Sequence, residues 1–220
     1  MYITLPKKLD ERIVEDLGAF KDKKGRLYVR RDDFEKTMAA ITYQLKGEDT
    51  CKYCGTILTH AIRTIDHVYA RDLGGPTVPN NLEPCCKSCN TRKRIFDKEE
   101  FERYLQIEKS EELKKEFLVE FYKKIDIERK ATGVVIPEKW YVLRKDYDVW
   151  AQITSVERYR TNKQYIQISE LYSKYNKICR TVVITKNNMV VEGFLALMFA
   201  KNLSYKVKIP FVILENVIAY

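Results

Sequence analysis

Long apolar runs are missing from this sequence. No uninterrupted hydrophobic stretch approaches the roughly 20 residues that cross a bilayer, and the opening Met1-Tyr2-Ile3-Thr4-Leu5-Pro6-Lys7-Lys8 lacks the apolar core of a secretory signal. The expectation is a soluble, cytoplasmic protein with no membrane partner. Histidine is scarce. With two in 220 residues, a reaction that needs a near-neutral base has only His60 and His67 to choose from. Neither an internal repeat nor a low-complexity tract is present. Cysteines number six, and five of them lie between positions 51 and 89, a clustering that in a reducing compartment suggests a metal site rather than a disulfide framework. Cys179 stands apart and reads as a buried free thiol.

What is present is enough to fold. Hydrophobic residues at 45% and aromatics at 12% can build packed cores, and the 32% of charged residues are interspersed rather than blocked. At this length, one compact core plus a second module is expected. Lys and Arg outnumber Asp and Glu by 40 to 31, giving a net charge of +9; four thiolates on one zinc ion would bring this to about +7. The balance favours polyanionic partners such as nucleic acid and does not by itself establish one.

Residues 1–50 read as a small helical lead-in with one short strand, Leu27-Tyr28-Val29. Asp32 and Glu35 have capping-box spacing, and Phe34, Met38, Ile41 and Leu45 follow at helical period. Across 51–96 the text changes to turns and short strand-like runs, punctuated by Gly74-Gly75-Pro76 and Pro79-Asn80-Asn81. Residues 97–133 form an expected helical scaffold, opened by capping-box spacing at Asp97 and Glu100 and striped by Leu113, Phe117 and Phe121. Residues 134–147 have no clean period and are a candidate linker or packing segment. The remainder of 134–220 reads as a C-terminal α/β domain, with strands at Thr181-Val182-Val183-Ile184 and Ile209-Pro210-Phe211-Val212-Ile213-Leu214 and a short helix over 192–201.

Cys51-Lys52-Tyr53-Cys54 and Cys86-Lys87-Ser88-Cys89 are two Cys-x-x-Cys knuckles. Four thiolates satisfy tetrahedral zinc and leave no position for water, so the expected zinc is structural. The wide separation of the knuckles implies a substantial insert. Cys85 adjoins the second knuckle, but pairing it with Cys89 would break the two-residue spacing that Cys86 keeps.

That insert holds Thr64-Ile65-Asp66-His67-Val68 and Asn80-Asn81-Leu82, and Asn90-Thr91-Arg92-Lys93 follows the last cysteine. Phosphodiester hydrolysis needs a base for water, a dication for the developing charge and ligands that hold the dication. An imidazole suits the first role; Asp66 is an oxygen ligand suited to magnesium or manganese, and Asn90 offers an amide oxygen beside a zinc ligand. Adjacent strand residues face opposite ways, so a shared site for Asp66 and His67 requires a strand end or a bulge. Arg71, Arg92, Lys93 and Arg94 flank the site as candidate phosphate contacts, with a solvated basic face as the alternative. His60 has no partner in the pattern and is expected to be exposed.

Cys-x-Tyr-Cys-Gly at 51–55, Asp66-His67, Gly74-Gly75, Asn81-Leu82-Glu83-Pro84 and Cys86-x-x-Cys89-Asn90-x-x-Lys93 together resemble the HNH endonuclease family, in its zinc-stapled form with asparagine as the last motif residue. The resemblance implies an α+β chain containing a ββα-metal module: a hairpin ending near Asp66-His67, a loop, and a helix beginning around Cys86 to Asn90. It also implies His67 as general base, Asp66 and Asn90 as ligands of one catalytic magnesium or manganese ion, and Asn81 as the residue that orients the loop or the base. Many members carry histidine where this chain has Asn90, and the asparagine favours an oxygen-preferring ion there. The C-terminal domain, 134–220, more distantly resembles the ParB/sulfiredoxin-like fold through Thr185–Gly193, the helix after it and the Ile209-Pro210-Phe211-Val212 strand, with Gly193 matching and Ala196 standing where that family has arginine. The expected activity is DNA cleavage, by nicking as a monomer or double-strand cutting as a homodimer. The alternative is a zinc-stabilised nucleic-acid-binding module that does not cut.

Overall fold

The computed structural model of the chain describes residues 2–5, 11–46, 49–145, 149, 161–203 and 207–214. The N-terminal segment contains more sheet than expected. Strands β1 (Tyr2–Thr4), β2 (Phe20–Lys21) and β3 (Leu27–Arg30) form an antiparallel sheet in the order β1-β3-β2, with helix α1 (Glu11–Asp16) between β1 and β2 in sequence. The two additional strands are too short to show a two-residue period, so only β3 could be read in advance. Helix α2 (Phe34–Lys46) follows a 3-10 turn at Arg31–Asp33. It buries Phe34, Met38 and Ile41, while Leu45, at the end of the expected stripe, is 69% exposed.

Strands β4 (Arg63–His67) and β5 (Leu82–Cys86) make an antiparallel pair, and helix α3 (Lys87–Lys93) leaves β5 without a loop. This is the expected hairpin-and-helix order. Asp97 caps helix α4 (Lys98–Ile107) in a capping box, its side chain accepting from the Glu100 amide while Glu100 accepts from the Asp97 amide. The 97–133 scaffold is two helices rather than one, because Ser110 accepts from the Leu113 amide and starts α5 (Glu111–Ala131). Phe117, Phe121 and Ile125 face the core with Phe101, whereas Leu113 is largely exposed.

The C-terminal segment is a mixed sheet in the order β6-β9-β7-β8, from β6 (Val142–Arg144), β7 (Val182–Thr185), β8 (Val190–Glu192) and β9 (Ile209–Leu214). Its β7 and β9 run parallel, and the other pairs are antiparallel. Helices α6 (Lys163–Tyr175) and α7 (Phe194–Asn202) cover one face through Ile168, Leu197 and Phe199 against Val182, Ile184 and Phe211. The opposite face presents Val183, Val191 and Val212 to Phe34 and Met38 of α2 and to Leu82 of β5. Burial on both faces explains why β7 and β9 read as continuous apolar runs. The N-terminal, central and C-terminal segments therefore share one core. The candidate linker is packed as well: Val134, Val135 and Ile136 are buried, and the Val135 amide donates to the Leu73 carbonyl at 2.7 Å. Residues 146 and 147 of that segment lie outside the described residues. Among the described residues, no helix is long and apolar enough to cross a membrane.

Candidate active site and zinc centre

The two knuckles converge. The sulfurs of Cys51, Cys54, Cys86 and Cys89 lie within 4.8 Å of one another, and Cys54 Sγ stands 3.9 Å from Cys86 Sγ. Zinc–sulfur bonds of about 2.3 Å give a tetrahedron with edges of about 3.8 Å, so the donor set fits one zinc ion. Cys85 stands outside the four, fully buried, and desolvation pushes its thiol far above the usual range. Cys86 Sγ accepts from the Cys89 amide at 3.4 Å and so caps α3. Two of the four converging cysteines therefore also form the start of that helix.

Asp66 and His67 occupy a regular register, opposite Glu83 and Leu82, and β4 ends at His67. Their side chains accordingly meet different partners. Asp66 is 5% exposed, and its Oδ2 accepts from the Tyr53 hydroxyl at 2.5 Å and faces the Lys93 ammonium at 2.9 Å. Burial pushes the Asp66 carboxyl up, against the downward pull of Lys93 and Tyr53. This differs from the expectation of an open metal ligand, because a divalent ion at Oδ2 would have to displace a buried ammonium. Lys93 departs further from expectation. It is 0% exposed and donates to the His67 carbonyl at 2.9 Å, so it is an internal tie between α3 and β4 rather than a phosphate contact.

His67 is half-buried, with Nε2 3.0 Å from the Thr77 hydroxyl. Desolvation, then the cations of Arg71, Arg180 and Lys93, push its imidazole down to about 3. The ring is neutral at physiological pH. Asn90, in α3, donates from Nδ2 to the Ile65 carbonyl at 3.2 Å and to Thr64 Oγ1 at 3.4 Å. Its Oδ1 accepts no hydrogen bond among the described residues, which leaves that oxygen available to a hard cation. Residues 51–106 match the family model for HNH endonucleases. This segment is similar to the HNH endonucleases. No curated protein and no solved structure matches the chain.

Within this HNH-like segment, the loop from Val68 to Asn81 is held from inside. Asn81 is fully buried; its Oδ1 accepts from the Tyr69 amide at 2.9 Å, and Nδ2 donates to the carbonyls of Tyr69 and Pro76. Gly75 lies so close to the Tyr69 carbonyl that any Cβ would collide with its oxygen. Asn81 and Gly75 thus set the path of the loop that brings Thr77 to His67.

The flanking cations divide by partner. Arg71 pairs with Glu35 at 2.8 Å and Arg92 with Glu108 at 2.6 Å, while Arg94 is exposed at the C-terminal end of α3 and in no ion pair among the described residues. His60 is exposed, as expected. Three residues around the HNH site escaped the sequence reading. Tyr53 had a signal, since it is the aromatic inside the first knuckle, and its ring packs edge-on against Phe101 at 5.6 Å. Thr77 and Glu192 had none, because a threonine in a turn and a glutamate at a strand end are ordinary residues until the fold joins them.

Proposed function

We propose that the chain is a metal-dependent endonuclease that hydrolyses DNA phosphodiester bonds at His67. The observation that carries this reading is the half-buried imidazole of His67 at the end of β4, beside an α3 that starts on the converging cysteines and presents the free amide oxygen of Asn90. His67 takes a proton from the attacking water. The incoming phosphate brings negative charge toward a ring held neutral by burial and nearby cations, and so raises its affinity for that proton as the reaction begins. Asn90 Oδ1 is the donor that would hold a magnesium or manganese ion, which when bound supplies Lewis-acid stabilisation to the scissile phosphate and leaving oxygen. Asp66 keeps Lys93 in place and so ties the strand carrying the base to the helix carrying the ligand. Arg94 is the flanking cation available for a phosphate.

One such site cuts one strand, so a monomer nicks and a two-fold homodimer cuts both. The ion pair that occupies Asp66 favours a second reading, in which the zinc-stabilised module binds nucleic acid without cutting. Supercoiled plasmid incubated with the zinc-loaded chain and magnesium or manganese separates the two. Nicking should fall about a hundred- to ten-thousand-fold in His67→Ala. Binding without nicking by either protein would establish the second reading, and equal nicking by both would remove His67 from the reaction.

A further inference from the structure

The HNH site receives a group from far along the chain. Glu192, the last residue of β8, accepts from the Thr77 amide through Oε2 at 2.9 Å and from the Thr77 hydroxyl through Oε1 at 3.0 Å. Thr77 Oγ1 in turn stands 3.0 Å from His67 Nε2. Thr77 is 2% exposed and the Glu192 side chain 11%, so water is largely kept from this chain of contacts. Two further ties bring the C-terminal sheet against the same loop: Arg180 donates to the Arg71 carbonyl at 3.1 Å, and Thr181 donates to the Gly74 carbonyl at 2.7 Å. Arg180 also pairs with Glu192 at 3.6 Å.

The direction of the hydrogen bonds follows from proton counting. A carboxylate has no proton to give, and a hydroxyl has one. With its proton directed to Glu192, Thr77 Oγ1 meets the imidazole only as an acceptor. His67 must then donate from Nε2. A neutral imidazole carries a single N–H, so the lone pair is left on Nδ1.

We propose that Glu192 is a positioning residue for the HNH site, fixing through Thr77 the Nε2–H tautomer of His67 and reserving Nδ1 for the proton of the attacking water. This rests on the reading of His67 as the base. Glutamine at 192 can turn an N–H toward Thr77, which frees the hydroxyl to donate to Nε2 and admits the opposite tautomer.

The test uses the zinc-loaded full chain, uniformly labelled with nitrogen-15, in long-range proton–nitrogen spectra. With two histidines in the sequence, the His67→Ala spectrum assigns both rings. Wild type should show His67 protonated at Nε2. Glu192→Gln should show a substantial Nδ1–H population and lose about ten- to a hundredfold in kcat for plasmid nicking with KM little changed, at unchanged zinc content. Thr77→Ser should keep the wild-type tautomer and rate, and Thr77→Val should lose both, which guards against a Glu192 variant that fails to fold. If Glu192→Gln and Thr77→Val keep the tautomer and the rate while His67→Ala is inactive, the role of Glu192 is overturned and the base assignment stands. Wild-type nicking by His67→Ala removes both.

Discussion

Lys93 carries an ammonium into a fully buried place, and its partners there decide what it does. Asp66 balances the charge, the His67 carbonyl takes a hydrogen bond, and the Tyr53 hydroxyl completes the carboxylate's surroundings. Removing one member of such a buried pair strands the other, at a cost of about 3–5 kcal/mol. Urea unfolding of zinc-loaded Lys93→Met should show that loss, and the double variant Lys93→Met/Asp66→Leu should recover much of it. A surface phosphate contact would leave stability unchanged on substitution. Cys179 offers a second measurement: it is buried, and desolvation pushes its thiol up to about 11, against 9.0 for an ordinary thiol. The unfolded chain gives up this proton first, so between those values rising pH works against the fold at this residue. Alkylation of Cys179 in the native chain should stay slow until pH approaches 11, and in denaturant it should follow the ordinary thiol. The candidate site residues were legible because their types are rare or paired by spacing, as with His67, Asn90 and the four clustered cysteines. Their supports were not. Tyr53 and Thr77 sit 13 and 10 residues from the groups they hold, and no local period connects them.

Helix α3 has seven residues, too few to be stable alone in water, since isolated helices shorter than about 12 residues are marginal. Its N-terminal turn is organised by Cys86 and Cys89, and its far end is tied to β4 through Lys93. Zinc chelation should therefore release α3 first. Hydrogen exchange should show loss of protection in α3 and at the β5 end next to it, with α7 and β7 still protected; uniform loss would mean that zinc supports the whole molecule. The same element shows why the ββα order could be read in sequence: the second knuckle marks the strand end and the helix start at once. The capping boxes divide instructively. Asp97 and Glu100 complete theirs, whereas after Asp32 the chain forms a 3-10 turn and α2 begins at Phe34. Phe34, the first residue of α2, is packed into the shared core.

At the scale of the whole molecule, the HNH-like segment is packed into its neighbours. Val78 and Leu82 belong to the core that contains Phe34 and Met38 from α2 and Val183 and Val212 from the C-terminal sheet. A fragment of residues 51–133 would leave this apolar face open to water. It should bind the dye ANS, lose solubility and melt well below the full chain even when zinc-loaded, as read by calorimetry and dye fluorescence. A soluble fragment with the full chain's melting temperature would show that the module folds independently. Segment boundaries drawn from composition missed this because the contacts are non-local: strand runs in 181–214 advertise burial on both faces without saying what lies on either side.

The bond between Thr77 and Glu192 joins positions 115 residues apart in the chain. A ribosome adding about 5–20 residues per second needs roughly 6–23 s to travel that distance. Throughout this interval His67 and the first knuckle have been made, and the second knuckle follows early in it, while the carboxylate of Glu192 has not. Synthesis therefore runs from His67 toward the carboxylate bonded to its neighbour Thr77, and the loop is made before that bond can form.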